Sequence, residues 1–210
     1  MQADGYGRWG ALVSHSGAVG SARTMDKSYY GKASAMKEMT INSEKIRIRK
    51  VNKSDAKALI EFIGVIGGES DFLTFGAGGF GRTVDEEEEF VEYAAKKENA
   101  LLIIAEADHK IVGCLNFSGG ERQRTAHIGE FGVSVLKEYW GCGIGKELIQ
   151  FLIDWSKETG IIRKIDLRVR TDNDRGIRLY KKLGFLEEGV ISRDFYIDGK
   201  FYDSLIMGLM

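Results

Sequence analysis

Gly141, Gly143 and Gly145 stand at alternate positions in EFGVSVLKEYWGCGIGKELI, between an apolar run and a segment of helical period. Glycine admits positive φ and lets another group approach the main chain closely. A helix N-terminus offers N–H groups that no earlier carbonyl claims, a setting that suits an anion. The spelling therefore points to a phosphate-binding turn. A Walker A loop does not fit: counting back from Gly145 and Lys146 lands on Trp140, and Glu147 stands where the magnesium-binding hydroxyl belongs. A dinucleotide-binding turn fits weakly, because Asp166 lies inside the alternating run KIDLRVR and not at its end.

A phosphate turn needs a strand before it and a helix after it. RTAHIGEFGVSV alternates as a strand, with a bulge or a close backbone approach expected at Gly129 and Gly132. Ile144, Leu148, Phe151, Leu152 and Trp155 share one face of the following helix, which ends at Gly160. RKIDLRVRT then buries Ile165, Leu167 and Val169 on one side, and a helix runs from Asn173 through Lys182. Upstream, KIRIRKV reads as a strand, and Ser54 is placed to cap the helix after it. Thr83 and Glu86 spell a capping box for a second helix. Asp108-His109 and Asp198-Gly199 carry hairpin chemistry. Strands and helices alternate without a regular βα repeat, which predicts an α/β (α+β) domain with a mixed, mostly antiparallel sheet and helices on both faces.

The 210 residues are long enough for one sizeable core. Thirty basic residues against 31 acidic ones give no reason to expect nucleic acid as a partner. No apolar run reaches the ~18 residues of a membrane span. Cys114 and Cys142 form no Cys-x-x-Cys or Cys/His cluster, so no metal site and a reducing, cytoplasmic setting are expected. Residues 1–40 are rich in Gly, Ser and Ala and read as a flexible extension, with residues 41–210 as the domain; Met36 and Met39 could each begin a protein.

Strand, YWGCGIG, helix, RKIDLRV and NDRGIRLYKKLGF, in that order, resemble the acyl-CoA-binding core of the GCN5-related N-acetyltransferases (GNAT), in the branch of ribosomal-protein type. The similarity runs from about Ile46 to Met210. In that family the loop reads Arg/Gln-x-x-Gly-x-Gly/Ala and its amides bind the pyrophosphate of acetyl-CoA. Trp140 falls at the basic position, with Gly143 and Gly145 at the glycines. Losing that charge places more of the grip on the amides from Gly141 through Cys142, Gly143, Ile144 and Gly145 to Lys146. By resemblance, Val133, Ser134 and Val135 bind pantetheine as an extra strand, and Asn173 and Gly176 lie beside it. Gly176 replaces a frequent alanine. Tyr180 is implied as the general acid near the sulfur.

The implied activity is transfer of acetyl from acetyl-CoA, as cosubstrate, to a primary amine, either a protein N-terminus or a small amine. A phenol of pKa ~10 can protonate a thiolate of pKa ~8.5 once charge has built up on sulfur. An amide near Val133 would polarise the thioester carbonyl if the strand ladder opens there. Glu130 is the first candidate for the base, with Glu69, Asp71 and His127 as alternatives. Glu69, Asp71, Phe72 and Tyr196, together with Phe75 and Tyr202, are candidates to meet the acceptor. The partners expected are acetyl-CoA and the amine, with a homodimer as the assembly considered. A CoA-binding module without turnover is the alternative reading.

Overall fold

A computed structural model describes residues 36–41, 43–78 and 80–210. Eight strands form one sheet in the order β1-β2-β3-β4-β5-β6-β8-β7. They are β1 (Met36–Ile41), β2 (Glu44–Lys50), β3 (Ala100–Ala107), β4 (Lys110–Gly119), β5 (Ile128–Val135), β6 (Lys164–Arg170), β7 (Leu186–Ile197) and β8 (Lys200–Leu209). Among the described residues there are four α-helices: α1 (Ala56–Glu69), α2 (Val84–Lys96), α3 (Ile144–Thr159) and α4 (Asp174–Lys182). Every neighbouring pair is antiparallel except β5–β6, whose ends are joined through α3. A parallel pair requires such a crossover.

β4 lies at the centre and is buried on both faces, which explains its nearly unbroken apolar run IVGCLNF. Its odd positions face α3. Phe117 meets Trp155 edge to face at 5.7 Å, and a β-carbon on Gly113 would stand 3.2 Å from Ile144 and Leu148. Its even positions face the α1 and α2 side. There burial, with the nearby Glu87 of α2, pushes the Cys114 thiol up from its ordinary pKa. The predicted inner face of α3 is buried throughout, from Ile144 to Trp155. Each such large apolar side chain stabilises the fold by ~1.5–3 kcal/mol.

Local signals explain most boundaries. Thr83 Oγ1 accepts the Glu86 N–H while a Glu86 carboxylate oxygen accepts the Thr83 N–H, so α2 opens on the capping box read from sequence. Gly160, at φ 64°, ends α3. Asp108 and His109 both take positive φ in the β3–β4 turn, as do Asp198 and Gly199 in the β7–β8 turn. The start of α1 differs from expectation. Asp55, not Ser54, stands at its N-cap, after a short 3₁₀ turn over Lys53–Asp55. Asp55 accepts the Asn52 N–H at 2.7 Å and pairs with Arg49, so its carboxylate organises this corner.

The boundary of the expected extension also shifts. Residues 1–35 lie outside the described residues, whereas 36–41 form β1, paired along its length with β2. Met39 and Ile41 pack against the core, which is why this stretch joins the sheet.

Candidate active site

The site begins where two strands part. β5 and β6 pair only at Ile128↔Lys164, Gly129↔Ile165 and Glu130↔Asp166, and then diverge. The β4–β5 register runs without interruption, so the ladder opens by splaying and not by the bulge expected at Gly129 or Gly132. Gly129 instead serves a close approach: a β-carbon there would lie 2.3 Å from the Phe117 ring. Backbone groups alternate sides along a strand. Ile128 C=O and Leu136 N–H bond toward β4, so the even-numbered residues between them face β4 too. Phe131, Val133 and Val135 therefore turn their N–H and C=O toward the opening.

At the end of β5 the chain turns into the glycine loop. Gly141 and Gly143 have φ of 88° and 90°, a region that side chains with a β-carbon rarely adopt. No side chain caps α3; Glu147 N–H is the first to return, to Gly143 C=O at 3.1 Å. The amides of Ile144, Gly145 and Lys146 thus precede the helical ladder at the positive end of the dipole. Glu69 Oε2 accepts the Lys137 N–H at 2.8 Å, fixing the turn before the loop to the end of α1. Trp140 Nε1 donates to Val135 C=O at 2.7 Å. That bond holds the indole against the end of β5 and occupies a carbonyl that sequence reasoning had offered to pantetheine.

The opening and the loop share one cleft of about 680 Å³. It is lined by Val133, Ser134 and Val135, by Trp140, Gly141, Gly143, Ile144, Gly145 and Lys146, and by Asn173, Gly176 and Tyr180. Glu69, Phe72, Phe75 and Glu130 border it as well. Cys142, Asp71 and Tyr196 are not part of the lining. Tyr196 pairs and stacks with Phe201, ring centroids 4.8 Å apart, while its neighbour Phe195, on the other face of β7, lines the cleft. Tyr202 packs on Arg170.

Tyr180 sits among Phe131 and Phe185, each ring centroid 6.0 Å away and nearly perpendicular. Burial pushes its phenol up to about 12, so it stays protonated at neutral pH. Glu130 Oε2 lies 3.5 Å from Arg168 Nε. Asn173 Oδ1 accepts the Gly176 N–H at 2.9 Å and caps α4; a β-carbon on Gly176 would come within 3.0–3.1 Å of that side chain. Gly176 is what allows this cap to sit so close.

Two arginines at the cleft were not singled out in the sequence. Arg170, buried, forks onto Asp172, donates to Asp71 C=O and lies between the rings of Phe72 and Tyr202. Arg175 of α4 stacks over Trp140. Neither was distinguishable in sequence from the surface arginines in the same charged runs.

A mixed sheet that splays beside an uncapped, glycine-lined helix N-terminus forms a cleft with anion-seeking amides at one end and an open strand edge along its side. The model of the acetyltransferase (GNAT) family matches residues 72–185, and the chain belongs to that family. The acetyltransferase of GNAT family from Streptococcus pneumoniae superposes with a TM-score of 0.76 at 34% identity, over 78% of this chain and 98% of that one. The SPbeta prophage-derived uncharacterized N-acetyltransferase YokL of Bacillus subtilis is 30% identical over 62% of this chain and 72% of its own length. An N-alpha-acetyltransferase of Sulfurisphaera tokodaii is 35% identical over 53% and 70%. The protein is an acetyl-CoA-dependent N-acetyltransferase. Among the described residues, no helix is long and apolar enough to cross a membrane.

Proposed function

We propose that the chain transfers acetyl from acetyl-CoA to a primary amine by direct attack on the thioester. The observation that carries this reading is the convergence in one cleft of the uncapped α3 terminus, the open edge at Val133 and the half-buried Tyr180. The diphosphate would rest on the amides from Gly143 to Lys146. Pantetheine would run along β5 beside Val133 and Ser134, and the Val133 N–H would stabilise the oxyanion as the amine adds. Glu130, at the point where the strands part, would take the proton from the amine directly or through water. As the carbon–sulfur bond breaks, the electron pair passes to sulfur and Tyr180 O–H supplies its proton.

The acceptor belongs to the class of protein N-termini or small amines. The name of the Sulfurisphaera relative supports an α-amine. Glu130 and Asp194 supply negative charge on the cleft wall for an ammonium, and Phe72 and Phe75 supply apolar surface. The domain is proposed to comprise residues 41–210, extended upstream by the start of β1. The test is release of free thiol from acetyl-CoA with a panel of N-terminal peptides, amino acids and polyamines. Amine-dependent release supports the reading. CoA binding with no release from any amine would favour a binding module instead.

A further inference from the structure

We propose that Arg175 supplies, from α4, the positive charge absent from the loop at position 140, and that it contacts the diphosphate of CoA. The inference rests on the reading of the cleft as the acetyl-CoA site. The guanidinium carbon of Arg175 lies 5.5 Å from the Trp140 ring centroid. Its Nη2 lies 3.8 Å from the point that a β-carbon on Gly141 would occupy, so the charge hangs over the loop and not beyond it. Trp140 is held in turn by its bond to Val135 C=O. Both Arg175 and Trp140 line the cleft, together with the α3 terminus and Lys146.

Arg175 also makes no ion pair with an acidic side chain among the described residues, unlike Arg168 and Arg170. Its charge is therefore not spent on the protein. Stacking on an indole fixes the plane of a guanidinium while leaving its N–H edge for an anion. The aromatic residue at 140 thus becomes a platform: it gives up its own charge and orients one borrowed from the neighbouring helix. Asn173 assists by capping α4 at the turn that carries Arg175. The contact is assigned to the diphosphate, because Arg175 overhangs Gly141 at the mouth of the uncapped terminus.

Calorimetric titration of CoA and of dephospho-CoA, which lacks only the 3′-phosphate, tests this on wild type, Arg175→Met, Arg175→Lys and the double variant Arg175→Met/Trp140→Arg. A lost charge-assisted bond should weaken both ligands by roughly tenfold or more in Arg175→Met. Arg175→Lys should fall between it and wild type, and the double variant should recover most of the affinity, which a misfolded Arg175→Met background would not permit. Equal affinity in wild type and Arg175→Met would overturn the inference. So would a loss seen with CoA but not with dephospho-CoA, which would move the contact to the 3′-phosphate. Wild type that binds neither ligand would remove the functional reading itself, and this inference with it.

Discussion

Arg170 Nη1 donates to the backbone carbonyl of Asp71 at 2.8 Å, joining the end of β6 to the loop that follows α1 across 99 residues of sequence. The Asp172 carboxylate holds the guanidinium charged and in plane, and Phe72 and Tyr202 flank it. Phe72, on that loop, lines the cleft on the wall proposed to meet the acceptor. The position of that wall thus depends on Arg170, which belongs to another element.

Arg170→Met should therefore act on the amine more than on the cofactor. We expect kcat/KM for the amine to fall by roughly 10–100-fold, as small misplacements of a binding wall do. Affinity for CoA should stay within about twofold, since the contacts at the α3 terminus are untouched. Steady-state kinetics with each substrate varied in turn, alongside CoA calorimetry, checks the split.

Tyr180→Phe keeps the ring packed against Phe131 and Phe185 and removes only the hydroxyl. Turnover should drop by roughly 10²-fold or more, the range of a general acid, with CoA affinity nearly unchanged. Equal turnover in both proteins would take the hydroxyl out of the mechanism.

The raised phenol gives two pH signatures. Because Tyr180 is pushed up to about 12, its donor form persists through the assay range, and kcat should show no descending limb below about pH 10 that disappears in Tyr180→Phe. The unfolded phenol, near ~10, releases its proton before the folded one, so the folded state loses stability as pH rises from about 10 toward 12. Thermal melts of wild type should fall more steeply there than those of Tyr180→Phe.

Gly143→Val separates ligand from packing. A β-carbon at Gly143 meets nothing within 4 Å, so its cost to the fold is the backbone strain at φ 90°, roughly 1–2 kcal/mol. The same group would stand at the mouth of the α3 terminus. KM for acetyl-CoA should rise by roughly tenfold or more in a protein that still melts cooperatively.

What the sequence showed is tied to short-range chemistry. The glycines at 141 and 143, the Thr83–Glu86 box, the two hairpin turns and the inner face of α3 depend on neighbours within a few residues, and all are found. Features set by distant partners were not legible. Whether the β5 ladder opens by a bulge or a splay depends on the path of β6 toward β8. Which of Phe195 and Tyr196 meets the cleft depends on how β7 pairs with β8, Phe195 with Tyr202 and Tyr196 with Phe201. The start of α1 moves past Ser54 because a 3₁₀ turn over Lys53–Asp55 precedes it, with Asp55 tied to the Asn52 N–H and to Arg49 of β2. Arg170 and Arg175 acquire their settings from aromatic rings on other elements, and nothing in their own surroundings in sequence marks them.

Calorimetric titration of wild-type protein with acetyl-CoA tests most directly whether the glycine loop at the head of α3 holds the thioester's diphosphate. Saturable heat at one ligand per chain is expected, weakened when the titration is repeated with Gly143→Val. Absence of any saturable signal from wild type, or equal binding by both proteins, would contradict it.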